Sequence, residues 1–188
     1  KRVSSSEIHS LRFLKNLNSY LISNKFNVPK IKRIKVLKNF KKKQFLIMFD
    51  YIFGNYIKNN SSDLKYLAKA TYFLHKKMLS YSEKDKVKKN TLRRLRLLEE
   101  IRRKYIAHKN HKNFYKYKLI KEILIAGGDI YKFYASLLKN SQCIHGDLVP
   151  GNILYANKKI HFLDFEDSYY SFFPIELDLA LIIERHIL

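Results

Sequence analysis

Residues 144–167 read Ile-His-Gly-Asp-Leu-Val-Pro-Gly-Asn-Ile-Leu-Tyr-Ala-Asn-Lys-Lys-Ile-His-Phe-Leu-Asp-Phe-Glu-Asp, and they limit the possible folds of the chain more than any other stretch. Two short apolar runs, 152–155 and 160–163, flank the turn residues 156–159, a pattern that predicts a β-hairpin. Asp147 precedes the hairpin on a loop containing Gly and Pro, Asp164 closes its second strand, and Asn152 stands between them. A carboxylate, an amide oxygen and a second carboxylate therefore mark the ends of one small rigid element.

That layout suits phosphoryl transfer from a nucleotide, in which a protein positions groups and stabilises charge but supplies little covalent chemistry. Mg²⁺ takes hard oxygen ligands, usually one or two side chains plus phosphates, and Asp164 and Asn152 are of that type. Asp147, five positions before Asn152, is left to accept the proton of an incoming hydroxyl. Taken alone, Asp and Asn here are also ordinary turn residues.

The pattern His-x-Asp-x-x-x-x-Asn followed by Asp-Phe resembles the catalytic loop and metal motif of protein kinases. Gly146 replaces their Arg, Val149 stands where Ser/Thr protein kinases carry Lys, and Glu166 follows Asp164-Phe165 in place of Gly. His-Gly-Asp-Leu-x-Pro-Gly-Asn at 145–152, Leu-Asp-Phe-Glu at 163–166 and Leu-Asp-Leu-Ala at 177–180 are similar to the aminoglycoside phosphotransferase and choline kinase group of small-molecule kinases. The resemblance implies an α+β, protein-kinase-like two-lobe fold. A partial small lobe and hinge would occupy residues 1–52, and a mostly helical large lobe with the catalytic-loop hairpin residues 53–188. It implies transfer of the γ-phosphoryl group of ATP, with Mg²⁺, to an alcohol group of a small molecule. Asp147 would be the base, Asn152 and Asp164 the metal ligands, His145 a loop-positioning residue, and Asp178 a brace accepting backbone N–H bonds.

Upstream, residues 4–23 read as an amphipathic helix with Ile8, Leu11, Leu14, Leu17 and Leu21 at helical spacing and a capping-box signature in Ser4-Ser5-Ser6-Glu7. By the same resemblance Glu7 is the candidate to pair with the ATP-orienting Lys of the preceding strand, and Lys1 is the candidate for that Lys. Glu7 as a cap and Lys1 as a plain surface residue are the alternatives. Residues 31–37 and 45–52 predict a second hairpin around a lysine-rich turn, with helix resuming after Gly54. In the resembling family the exit from such a strand is the hinge, which makes Asp50 and Ile52 the nucleotide-binding backbone contacts and places Phe49 at the pocket.

Residues 63–79 predict a helix burying Leu64, Leu67, Ala68, Thr71, Leu74 and Met78, with His75 as a packing residue. Residues 83–140 read as helical and basic, with Leu92, Leu95, Leu98 and Ile101 on one face and Asp129 capping a last helix. Tyr169, Tyr170, Phe172 and Phe173 form an aromatic cluster suited to lobe packing or to holding a quaternary ammonium. A helix over 175–188 carries Asp178.

At 188 residues the chain has the length of one domain, and no apolar run approaches the roughly 20 residues of a membrane span. No apolar segment follows the first residues as in a secretory signal, and Cys143 is the single cysteine, which together suggest a reducing, cytoplasmic setting. The net charge of +22 raises nucleic acid as a partner, but its distribution matters. Residues 84–121 hold fifteen Lys/Arg against three acids, whereas residues 141–188 hold three against seven. The motif segment is thus acidic inside a basic chain, which suits a cation and disfavours a phosphate backbone on that face. The basic segment 83–140 also makes polycationic aminoglycosides a less natural acceptor than choline, homoserine, thiamine or a sugar. No Gly-rich phosphate loop precedes Lys1, so the sequence reads as the middle of a longer protein, with weak or absent catalysis expected if it acts alone. Two further readings are a non-catalytic kinase-fold scaffold and a basic nucleic-acid-binding module.

Overall fold

Leu11, Leu14, Leu17 and Leu21 share one face of helix α1 (Ile8–Ser23), and all four are buried together with Phe13. Each such side chain contributes about 1.5–3 kcal/mol by leaving water. The computed structural model describes residues 2–4, 8–39, 42–107, 120–122, 124–125 and 130–187. Helix does not extend back to Ser4 as expected. Strand β1 (Arg2–Ser4) occupies that stretch, because its backbone pairs antiparallel with a later strand at Arg2↔Leu46, Val3↔Phe45 and Ser4↔Gln44. Lys1 and Glu7, the expected ion-pair candidates, lie outside the described residues.

Strands β2 (Ile31–Asn39) and β3 (Lys42–Phe49) form the expected hairpin, and β3 is the middle strand of the sheet β1-β3-β2. Their ladder runs further into the lysine-rich segment than the hydrophobic pattern suggested, with Lys38 opposite Lys43 and Asn39 opposite Lys42. Backbone pairing satisfies the peptide groups there whatever the side chains are. The second strand stops at Phe49, so Asp50 and Ile52 sit beyond it, outside any helix or strand. Helix does not resume directly after Gly54 either. Strand β4 (Asn55–Tyr56) intervenes and pairs with the motif hairpin at Asn55↔Tyr155 and Tyr56↔Leu154.

Helix α2 (Ser61–Leu79) starts two residues before the expected position, with the Asn60 side chain accepting the Asp63 N–H as its cap. Its buried residues are Leu67, Thr71, Leu74, His75 and Met78; Ala68 faces solvent and Leu64 is half-buried. Helix α3 (Lys84–Ala107) departs more from expectation. Its buried stripe is Val87, Thr91, Leu95 and Glu99, at i,i+4 spacing, while Leu98 and Ile101 are exposed and Leu92 is half-buried. Glu99 is tolerated inside because Arg102 and Arg103 both bond it, and Arg102 also donates to the Leu124 carbonyl. Helix α4 (Ile130–Leu137) follows, and Asp129, its expected cap, lies outside the described residues.

The motif hairpin is β6 (Ile153–Ala156) and β7 (Lys159–Phe162), preceded by β5 (Gln142–Cys143). The connection is a two-residue turn, Asn157-Lys158, with φ of 51° and 60°, the left-handed pair of a type I′ turn. Strand β8 (Phe172–Phe173) pairs with β5, and helix α5 (Glu176–Ile182) ends in a π turn over Ile183–Ile187. One buried cluster runs from Leu11 through Leu67 and Val87 to Ile182, joining α1, α2, α3, the hairpin and α5. No helix among the described residues is long and apolar enough to cross a membrane.

Candidate active site

Asp178 lies on α5 and is fully buried. Its carboxylate accepts the backbone N–H of His145 at 3.0 Å, that of Gly146 at 2.9 Å, and Nε2–H of His75 at 2.9 Å. A buried carboxylate needs such donors, and three of them tie α2, the 145–147 loop and α5 together. His75 is therefore more than the packing residue read from the sequence. The available signal was its position: a His beside the Thr71/Leu74/Met78 stripe is turned inward and must find a partner.

His145 is buried and spans the site, donating Nε2–H to the Leu163 carbonyl at 2.8 Å and accepting the Asp147 N–H at Nδ1 at 3.3 Å. Acceptance at Nδ1 requires the neutral ring, with its proton on Nε2. Burial pushes its pKa below the ordinary value, against the opposing pull of Asp178, the Leu163 carbonyl, Asp147 and Asp164. Because the unfolded ring titrates near pH 6.5, the unfolded chain binds a proton that the folded chain refuses. The His145 contribution is therefore complete above about pH 6.5 and declines as pH falls below it. Thermal unfolding between pH 8 and 5 should show a drop in midpoint on the acid side that is shallower in His145→Asn.

Gly146 has φ of 85°, and a Cβ there would collide with the Ser171 hydroxyl and stand 2.8 Å from the Ser171 Cβ. Ser171 cannot retreat easily, since its hydroxyl donates to the Asp167 carbonyl at 2.8 Å and its own carbonyl accepts the Ile144 N–H at 3.0 Å. Gly146→Ala should cost about 1–3 kcal/mol, measurable as a lowered urea midpoint with unchanged m. Beside it, burial and then the Asp178 charge push the Cys143 thiol up to about 12, so it is an inert core side chain.

Asn152 donates Nδ2–H to Oδ2 of Asp147 at 2.8 Å and to its backbone carbonyl at 2.9 Å. With Nδ2 so engaged, Oδ1 is the atom Asn152 offers a cation. The Leu163 N–H donates to the Asn152 carbonyl at 2.8 Å, which closes the base of the hairpin just before Asp164. Asp164 takes a left-handed backbone, φ 55°, which Asp accepts more readily than most residues. Asn152 and Asp164 line a cavity of about 350 Å³ together with Phe49, Asp50 and Ile52. The Asp50 N–H is bound to the Lys30 carbonyl at 2.9 Å, and its side chain pairs with Lys32 at 2.8 Å. Asp147, Asn152 and Asp164 are thus grouped around one hairpin base, Asp50 and Ile52 share a cavity with two of them, and His145 and Asp178 support the loop. Among the described residues no three His, Cys, Asp or Glu side chains cluster to hold a metal by themselves.

The phosphotransferase enzyme family matches residues 11–185. The chain belongs to that family. A solved structure described as the GDP and kanamycin complex of APH(2")-IIia is similar to it, with a TM-score of 0.57 at 15% identity, over 93% of this chain and 61% of that one. An aminoglycoside phosphotransferase from Alicyclobacillus acidocaldarius matches with a TM-score of 0.53 at 16% identity, over 98% of this chain and 60% of that one. Both show that the α+β fold is the kinase-like fold of those enzymes. The chain spans about three-fifths of their length. No curated protein matches it.

A second cavity of about 350 Å³ in this family member opens beside the same loop, between α3 and the 167–173 segment. Gly146 and Asp167 form part of its wall, with Arg94, Tyr134, Tyr170 and Phe173. Arg94 lies 3.7 Å from Asp167 and 5.0 Å over the Tyr170 ring. Of the aromatic cluster, Tyr169 and Phe172 are buried in the core, whereas Tyr170 and Phe173 face this cavity.

Proposed function

We propose that the chain carries the catalytic part of a kinase that moves the γ-phosphoryl group of ATP to an alcohol of a small molecule. The observation that carries this reading is the arrangement of Asp147, Asn152 and Asp164 at one hairpin base between two cavities. Asp147 accepts the proton of the acceptor hydroxyl. Asn152 Oδ1 and the Asp164 carboxylate, both hard oxygen donors, are the residues that would hold Mg²⁺, which neutralises charge on the phosphates when bound. The Asp50 carbonyl and the Ile52 N–H face the nucleotide base, with Glu7 and Lys1 as the pair orienting its phosphates. His145 and Asp178 hold the loop. The cavity at Arg94, Tyr170 and Phe173 takes the acceptor. Residues 1–52 form the small-lobe and hinge part and residues 53–188 the helical part.

A panel of hydroxylated metabolites (choline, homoserine, thiamine, sugars and kanamycin) incubated with γ-labelled ATP or GTP and Mg²⁺ tests the proposal. Metal-dependent labelling of one acceptor is expected, at a low rate from this chain acting alone. Absence of any Mg²⁺-dependent nucleotide binding by calorimetry at millimolar ATP and GTP would overturn it.

A further inference from the structure

Tyr66, Lys69, Phe73 and Lys77 follow one another on α2 at intervals of three, four and four residues, so they stand on one face of the helix. That face is one wall of a groove of about 440 Å³ at the tip of the motif hairpin. Lys25, in the turn after α1, and Lys158 and Lys159, at the hairpin tip, complete its basic rim. Lys25 and Lys158 both have left-handed backbones, φ 59° and 60°, which fix where these side chains leave the chain. No Asp or Glu lines the groove, and among the described residues none of these five lysines is in an ion pair. Lys77 donates to the Asn24 side chain at 3.2 Å. The Tyr66 and Phe73 rings stay 46% and 43% exposed.

Five like charges around one concavity repel one another, a cost to the free protein that an anion removes. An ordinary solvated face interleaves acids with its lysines, as Glu83 does for Lys86 elsewhere in this chain. Exposed rings alternating with the charges add flat surfaces that inorganic anions have no use for. A base-paired duplex hides its base faces, whereas a single strand offers a phosphate and an unstacked base at each step. From this alternation we infer that the groove binds single-stranded nucleic acid, with phosphates along Lys25, Lys69, Lys77, Lys158 and Lys159 and bases stacked on Tyr66 and Phe73. It has no lining residue in common with the cavity at Asn152 and Asp164, so the inference does not depend on the kinase reading.

Fluorescence anisotropy of the full chain with a labelled oligouridylate of about twelve nucleotides, titrated over a range of KCl, tests this. Binding should weaken with salt, log K falling against log[KCl] with a slope of at most about −3.5 if all five lysines meet phosphates. Phe73→Ala should weaken binding about 5–100-fold and Phe73→Leu should do so as well, since bulk without a ring cannot stack. The pair K69E/K77E should lower affinity by at least about tenfold, whereas K89E/R93E on α3 makes the same change in net charge and should leave it within about twofold. Equal losses from the two charge-reversal pairs would assign the binding to net charge and overturn the proposal. Wild-type affinity in both Phe73 variants, or equally tight binding of a duplex, would overturn it too.

Discussion

Asp147→Asn should lower phosphoryl transfer by about 10²–10⁴-fold while leaving nucleotide affinity nearly unchanged, the range expected for removal of a general base. The substitution separates chemistry from architecture. An Asn at this position keeps an oxygen for the Asn152 Nδ2–H that Asp147 now accepts at 2.8 Å, and the backbone carbonyl still accepts the second bond. The cavity holding Asp50, Ile52, Asn152 and Asp164 has no wall from Asp147 and should be unaltered. Steady-state transfer to the acceptor found in the metabolite panel, paired with calorimetry of the Mg-nucleotide, reads the two effects apart. Turnover within tenfold of the wild type would remove Asp147 from the base role.

The second large effect is structural. Asp178→Ala deletes a buried carboxylate and strands three donors, the His145 and Gly146 N–H groups and Nε2–H of His75. Hydrogen bonds to a charged group contribute more than neutral ones, and a buried donor left without an acceptor costs its full desolvation. The expected loss is about 3–5 kcal/mol, a large share of the 5–15 kcal/mol typical of a folded domain. For a chain of this length that corresponds to a fall in Tm of roughly 6–20 °C, read by differential scanning calorimetry. Asp178→Asn keeps one acceptor oxygen and should fall between the two. A loss below about 1 kcal/mol in Asp178→Ala would mean that water or a shifted loop replaces the carboxylate.

Local pattern was enough for the motif hairpin. Its strands are short apolar runs bounded by turn residues, and its turn has an Asn at a left-handed position, a preference that belongs to the residue itself. The order Asp147, Asn152, Asp164 on that hairpin was legible for the same reason, as was the buried leucine face of α1. The family followed from those short spacings. Contacts made at a distance were not legible. Leu95 on α3 belongs to two stripes, Leu92/Leu95/Leu98/Ile101 and Val87/Thr91/Leu95/Glu99, and apolar periodicity alone chose the wrong one. The choice is made by what the helix meets: the Phe172 N–H donates to the Thr91 hydroxyl at 3.0 Å, which turns the Thr91 side inward.

The start of the chain shows the same limit. Ser4 reads as the cap of a helix, yet Arg2–Ser4 is a strand because β3 is there to pair with it. Sequence by itself determined the hairpin, the family and the residue types available for chemistry, since each depends on neighbours within a few positions. Only the tertiary structure decided that His75 meets Asp178 across 103 residues, that Gly146 must lack a side chain because Ser171 fills the space, and that lysines from three separate segments border one groove. Those depend on which surfaces pack together, and packing is settled by the fit of whole elements rather than by any one segment's preference.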